Sequence, residues 1–480
     1  MAKAMATARA TESTRVGLRT RIFPPVYTCQ VANKRPWPAA QPREEGLQSE
    51  IVIVGGGAGG LELACKLGRK LGPAKVMLVD SRLYHIWKPS LHEVAAGTLD
   101  IHQEGLSYQM LAHDNGFTFV YGPMLALEHG ARHLTVGSVR APDGEEVLRE
   151  RRIGYGSLVI AVGSTSNYFG VPGAREHTIS LNATEDAERF RLRLLRLMAM
   201  AQEAREEQKD TNAALDVVII GGGATGVELA AELREASGVY ATYGFSRLQV
   251  KRDVHITLLE GAPRILAPLP ERVSKAALKL LDERGIRVVN NCRVTKIEPD
   301  RILDADGNVY PASLCVWAAG IRAPEFLSEL GLPVNKGGQI DVDAQLRVKG
   351  VAGVYALGDC AACVDGAGKP VPPRAQAAHQ QADYLLKQFL RVAAGKPPLE
   401  KPYLYRDYGS LVSLGKTTSV GSLMGSLSGA SWFVEGMIGR IMYASLHLMH
   451  HQAVLGAMRT GVLALARFLI RRTTPLVKLH

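Results

Sequence analysis

At 480 residues, 46% hydrophobic and 21% charged, the chain is long enough for more than one domain, since domains run to roughly 100–200 residues. Its formal charge of +11 suits an anionic partner, but the cations gather before Glu44 and after Gly439, a distribution that argues against a continuous nucleic-acid groove. The six cysteines are scattered, unlike a disulfide-stapled secreted scaffold, and no apolar run reaches the roughly 18–20 residues of a spanning helix or forms a signal-peptide core.

Residues 1–49 carry Lys3, Arg9, Arg15, Arg19, Arg21, Lys34, Arg35 and Arg43 with only Glu12 acidic before Glu44, and read as a disordered tail. The same composition suits an organellar transit peptide, which would make the protein mitochondrial. Order is expected from IVIVGGGAGGLELACKLG, an apolar β-branched run that breaks into glycines and continues with helical periodicity. Gly55, Gly57 and Gly60 allow a tight turn, close approach to a pyrophosphate and packing of helix on strand, and the helix N-terminus offers unpaired N–H groups to phosphate. Asp80 ends the next strand, VMLVD, about twenty residues on, where a carboxylate can bind an adenosine ribose.

Between this unit and the next lie LVIAVGSTSNYFGVPG, a buried strand with a glycine turn, and a charged helix around Asp186–Gln208. DVVIIGGGATGVELAAELREA then repeats the grammar with Gly221, Gly223 and Gly226, and Glu260 after VHITLL is the candidate ribose acid. A carboxylate there repels a 2′-phosphate and favours NADH over NADPH, although Arg264 is near enough in sequence to soften the preference. The excursion SGVYATYGFSRLQVKRD lengthens the usual spacing, so the assignment requires the chain to return to the same sheet. Two dinucleotide sites in one chain imply one bound flavin and one exchangeable nicotinamide.

Further on, GVYALGDCAAC is a strand and turn, RAQAAHQQADYLLKQFL a helix, and SLVSLGKTTSVGSLMG an alternating, hairpin-like stretch. Cys360 and Cys363 form a C-x-x-C, read as structural because no second C-x-x-C completes a zinc site. His450 and His451, with His447 nearby, leave a helix in different directions and read as interfacial or satisfied surface residues, so no metal is assigned. Leu455, Met458, Val462, Leu465 and Leu469 repeat at helical spacing with Arg459, Arg467 and Arg471 off the stripe, a pattern that suits either a membrane interface or packing against the body.

The ordered words IVIVGGGAGGLE, HIWKPSLHEVAAGTLD, VGSTSN, GGGATGVELAAEL, VWAAGI, GDCAAC, VPPRAQAAHQ, GSLVSLG, VGSLMG, FVEG and the closing KLH resemble the type II NADH:quinone oxidoreductases, in particular their proteobacterial branch. The resemblance runs from about Glu50 to His480; the N-terminal tail has no counterpart, and LMHHQAVLGAMRT departs from the usual wording.

The resemblance implies an α/β fold of two nested Rossmann-like dinucleotide-binding domains, of pyridine nucleotide-disulfide oxidoreductase type, with a C-terminal amphipathic membrane-binding module. The expected boundaries are an FAD domain at 50–178 and 322–405, an NADH domain at 179–321 between them, and the membrane module at 406–480. The first motif with Asp80, Gly163, Gly358, Asp359, Ala375 and Gln376 is then expected at FAD, with Asp359 on the ribitol. The second motif with Glu260 and Gly320 is expected at NADH. By the same resemblance Glu228 lies near the nicotinamide, although its position also suits an ordinary early-helix acid. Gln376 and Gln380, four apart on one helix face, are expected near the quinone, where an amide can donate without bringing charge into an apolar pocket.

The implied activity is hydride transfer from NADH to FAD and electron delivery to a membrane quinone without proton pumping, from the cytoplasmic face of the inner membrane. A homodimer is left open. The alternatives are a sulfide:quinone oxidoreductase, which needs two reactive cysteines that VGSTSNYFGVPG lacks, and an FAD- and NADH-binding signalling protein.

Overall fold

The structure, a computed structural model, describes residues 46–206, 214–415, 418–424, 431–470 and 477–478. Most of the expected tail lies outside them. The first strand is Leu47–Val54, and Leu47, Gln48 and Ser49 already pair with Ile153, Gly154 and Tyr155. Order therefore begins before Glu50, because the strand partner extends far enough to hold three more residues. Val52 and Ile53 are fully buried, as a strand covered on both faces requires.

Val76–Asp80 and Arg151–Ile160 flank this strand in parallel, and Thr118–Tyr121 adds outside Val76–Asp80. On the other side His133–Val136 and Met124–Glu128 extend the sheet in antiparallel fashion. The last member comes from far down the chain: Val354–Ala356 pairs in parallel with Leu158–Ile160. The first sheet is thus built from two separate stretches of sequence, with a second sheet encoded between them.

That second sheet is wholly parallel, in the order Ile179–Ser180, Leu314–Trp317, Leu215–Ile220, Val254–Leu259 and Ile286–Val289. The lengthened spacing before Glu260 arises because the second motif helix runs on to Tyr243 and a short helix follows at Val250–Asp253. Buried Tyr240 on that extension donates to the Ala96 carbonyl at 2.9 Å, so the added turns are packed rather than looped out. The chain leaves and re-enters the first unit along two paired strands, Thr165–Ser166 and Ile321–Arg322. Tyr168, Val171 and Ala174 already pack with Trp317 and Val218 of the second sheet. These paired crossing strands lie at 165–166 and 321–322.

After the helix Ala375–Ala393, Gly409–Ser413 and Ser419–Met424 form the expected hairpin, extended by Ser431–Glu435. Two helices follow, Gly436–Leu455 and Ala457–Ile470. The stripe read as one helix is broken at Gly456, whose φ of +83° ends the first helix. Leu455 packs against the first core beside buried Val454, whereas Met458, Val462, Leu465 and Leu469 are exposed. His450 and His451 are not surface residues either; both are buried, because this helix lies against the body, where Arg69 donates to the Ala453 carbonyl at 2.7 Å. Among the described residues no helix is long and apolar enough to cross a membrane. Near the C-terminus Val477 is buried in the second core, and the Lys478 N–H donates to the Gly97 carbonyl at 2.8 Å.

Candidate active site

Both glycine motifs have one construction. Gly55 and Gly221 sit at φ +101° and +113°, a region hostile to residues bearing a Cβ. A Cβ on Gly60 would come within 2.0 Å of the Gly55 carbonyl oxygen, and one on Gly226 within 1.9 Å of that of Gly221, so the third glycine lets helix and strand touch. The middle positions differ. A Cβ on Gly57 would meet only the Ala161 carbonyl, at 3.9 Å, and one on Gly223 nothing within 4 Å. Space is kept beside helix N-termini that carry no side-chain cap, an arrangement that fits a pyrophosphate.

Each motif is closed by its acid. Asp80 Oδ2 accepts the Gly56 N–H at 2.6 Å, and Glu260 accepts Gly222 N–H at 2.5 Å and Ala262 N–H at 2.6 Å. Burial pushes the Asp80 carboxyl up, opposed by the Gly56 and Arg82 N–H groups. Both acids are thereby fixed to their turns. The Arg264 guanidinium donates to the carbonyls of Leu266, Ala267 and Leu269.

In the first unit, the Gly56 carbonyl also accepts from the Tyr108 hydroxyl at 2.7 Å and lies 2.9 Å from His85 Nδ1. Asp359 follows Gly358, at φ +74°, and its carboxylate accepts the Ser164 hydroxyl at 2.7 Å next to Gly163, at φ +71°. Lys88 Nζ donates to the Ser164 carbonyl at 2.8 Å, its pKa lowered by burial and lifted back by Asp359. Gly163, Ser164, Lys88 and Asp359 thus form one polar cluster at the ends of two neighbouring strands. Ser164 and Lys88 were visible only as letters inside longer words. Gln381 was missed too: it is buried, and its Oε1 accepts the Gly358 N–H at 2.7 Å. Its signal was the Gln380-Gln381 doublet, whose second member must face away from the first.

Cys360 and Cys363 are buried, and burial lifts their thiols to about 12 and about 11. Neither forms a thiolate at neutral pH, so neither has the character of a redox dithiol. Cys65, Cys292 and Cys315 are also buried, and Cys29 lies outside the described residues.

Glu228 lies on the second motif helix, buried, with its carboxyl pushed up to about 8 chiefly by burial; the Ser413 N–H, donated at 3.0 Å, acts the other way. His92 Nδ1 is 3.6 Å from the same carboxyl, but burial lowers its pKa to about 4. At neutral pH this is therefore a neutral pair rather than an ion pair. Gln376 and Gln380 do share a face, and that face is already engaged. Gln380 exchanges two hydrogen bonds with the Arg406 backbone, at 2.8 and 3.0 Å. Gln376 accepts from Tyr408 N–H at 3.2 Å and donates to the Gly409 carbonyl at 3.1 Å. Ala375 opens this helix. Gly320, at φ +68°, is covered by the Phe169 ring. The strand Gly409–Ser413 thus runs from the glutamines at one end to Glu228 at the other.

The family described as pyridine nucleotide-disulphide oxidoreductase matches residues 49–382. A type II NADH:quinone oxidoreductase of Haemophilus influenzae is 39% identical over 445 residues, covering 90% of this chain and 99% of its own. The mitochondrial internal alternative NAD(P)H-ubiquinone oxidoreductase A1 of Arabidopsis thaliana is 26% identical, covering 85% and 81%. Among solved structures, NDH2 of Plasmodium falciparum in complex with NADH superposes with a TM-score of 0.74 at 18% identity, covering 90% of this chain and 100% of that one. The sulfide:quinone oxidoreductase of Aquifex aeolicus has the same fold at a TM-score of 0.65 and 17% identity, covering 89% and 96%. With two glycine cradles, their acids and this similarity along nearly the whole chain, the protein belongs to the type II NADH:quinone oxidoreductases, within the pyridine nucleotide-disulphide oxidoreductase family.

Proposed function

We propose that the chain oxidises NADH at the second glycine motif and passes two electrons to a quinone through FAD held at the first, without moving protons across a membrane. FAD supplies the hydride-accepting ring and the stepwise release of electrons. The chain's residues bind and orient. Gly55, Gly57, Gly60, Asp80, Gly163, Gly358, Asp359, Ala375 and Gln376 hold the flavin, and Gly221, Gly223, Gly226, Glu260 and Gly320 hold NADH. Lys88, Ser164 and Gln381 fix the polar cluster around Asp359.

The observation that carries this reading is the strand Gly409–Ser413, tied to Gln376 and to Glu228. It connects the residues expected at the quinone with the acid expected at the nicotinamide. Glu228, protonated at neutral pH, can donate a hydrogen bond beside a carboxamide or a quinone oxygen without bringing a charge there. Gln376 and Gln380 act by holding 406–409 in place, each through backbone partners on that segment.

Exposed Met437, Ile438, Ile441, Met458, Val462 and Leu465 on the last two helices support a peripheral seat on the membrane, where a lipid-soluble quinone is met. The inner-membrane face remains part of the same proposal. The test is anaerobic: the flavin spectrum should bleach on NADH and return on a short-chain quinone at the rate of steady-state turnover. Slow bleaching with a long-lived charge-transfer band and no quinone-dependent turnover would favour a signalling protein instead.

A further inference from the structure

The histidines of the helix Gly436–Leu455 take no part in the chemistry above, yet they are arranged. His447 and His451 are one turn apart on the same face, their ring centroids 4.4 Å apart. That face meets the short helix Ile101–Glu104, and donor atoms of Glu104, His447 and His451 all lie within 4.8 Å of one another. Two imidazoles and one carboxylate are a donor set of zinc-type sites, in which bonds of about 2.0–2.2 Å space tetrahedral donors by about 3.3–3.6 Å. Shifts of roughly 1.5 Å at the donor atoms, within reach of small side-chain rotations, bring all three onto one ion.

The rings are also held in a suitable state. His451 Nδ1 lies 3.0 Å from the His447 carbonyl. A carbonyl only accepts, so Nδ1 carries the proton, and in the neutral ring Nε2 has the lone pair that a metal needs. A backbone carbonyl behind the ring is the usual support of a metal-ligating imidazole. The His447 ring stacks on the Trp87 indole at 4.9 Å and 18°, which limits its freedom to turn. His450 points elsewhere, its Nε2 2.9 Å from that of His85. The adjacent pair therefore diverges as the sequence implied, and the pair that converges is His447 with His451.

We propose that Glu104, His447 and His451 bind one divalent transition-metal ion of the zinc class, with solvent in the fourth position, tying Ile101–Glu104 to the histidine helix. Imidazole donors select against Mg²⁺.

Tag-free holoenzyme, treated with a chelator and dialysed, is titrated with Zn²⁺ by calorimetry and with Co²⁺ by visible absorption. The expected result is saturable uptake of a single Zn²⁺ per chain, undisturbed by Mg²⁺, and a Co²⁺ band of tetrahedral intensity at wavelengths beyond the flavin. Glu104→Gln preserves shape, and His447→Phe keeps a ring on Trp87. Each should weaken Zn²⁺ binding on the order of 10–100-fold, with flavin content and metal-free melting temperature unchanged. The proposal is overturned if wild type takes up no Zn²⁺ saturably, if Mg²⁺ competes equally, or if both folded variants bind Zn²⁺ as wild type does. The Co²⁺ spectrum of the wild type tests the site even if a variant does not fold.

Discussion

The carboxylate of Glu260 accepts the backbone N–H of Gly222 at 2.5 Å, which fixes the acid to the turn whose nucleotide it would read. Asp80 does the same to Gly56 at 2.6 Å. Glu260→Arg should raise the KM for NADH and narrow its advantage over NADPH, since it removes a ribose acceptor and supplies a cation for a 2′-phosphate. Steady-state kinetics with both nucleotides measure this; an unchanged ratio means that the acid is not at the ribose.

Glu228 gives the protein a pH signature. Its folded carboxyl titrates near about 8 against an ordinary 4.5, so between those values the folded state keeps a proton that the unfolded chain has released. Its contribution to stability is complete below pH 4.5 and falls as pH rises toward 8. Glu228→Gln cannot ionise, so its melting temperature relative to wild type should climb from about pH 5 to about pH 8. A flat difference would show that the carboxyl is already ionised. His92 works on the acid side: its pKa is lowered from 6.5 to about 4, so stability is lost as pH falls through that window.

Cys360→Ala combined with Cys363→Ala should retain most NADH-dependent quinone reduction, because neither thiol ionises at neutral pH. A loss of roughly 1–2 kcal/mol in stability is expected from the emptied volume. Loss of turnover with full flavin content and normal folding would give the pair a role in electron transfer.

The two faces of the C-terminal module should respond oppositely to substitution. Met458, Val462, Leu465 and Leu469 are 85%, 64%, 60% and 57% exposed, so changing all four to Ser should leave the melting temperature nearly unaltered. Binding to anionic liposomes, and turnover with a long-tailed quinone in them, should fall sharply, whereas a short soluble quinone is still reduced. Val454→Ala should do the reverse: its side chain is fully buried, so the cost is about 1–3 kcal/mol in stability with liposome binding retained. Retained binding by the quadruple variant rules out these residues as the membrane contact.

Both glycine turns and their acids were legible because each depends on local spacing along strand, turn and helix. The hairpin Gly409–Leu423 was legible from its alternation. What the sequence could not disclose depends on contacts between distant segments. Nothing local shows that Gln380 grips Arg406, that Gln381 holds Gly358, or that Lys88 reaches Ser164. The stripe at Leu455–Leu469 had the right period, but Gly456 changes the chain direction and sends Leu455 inward. The burial of His450 and His451 was equally hidden, since periodicity gives a residue's face and not what that face meets.

The pairing of Val354–Ala356 with Leu158–Ile160 governs the order in which a newly made chain can assemble. Cys360, at the turn behind that strand, follows Ile160 by 200 residues. At roughly 5–20 residues per second, translation takes on the order of 10–40 s to cover that distance. During that interval the edge at Leu158–Ile160 lacks its neighbour, while the five strands of the second sheet, all encoded in between, already have their partners. The inserted sheet can therefore close first, and the outer one waits with an open edge, the kind of surface that recruits other chains. Slowing synthesis between Ile160 and Val354 prolongs that exposure, and a helper that shields strand edges acts before Asp359 has been made.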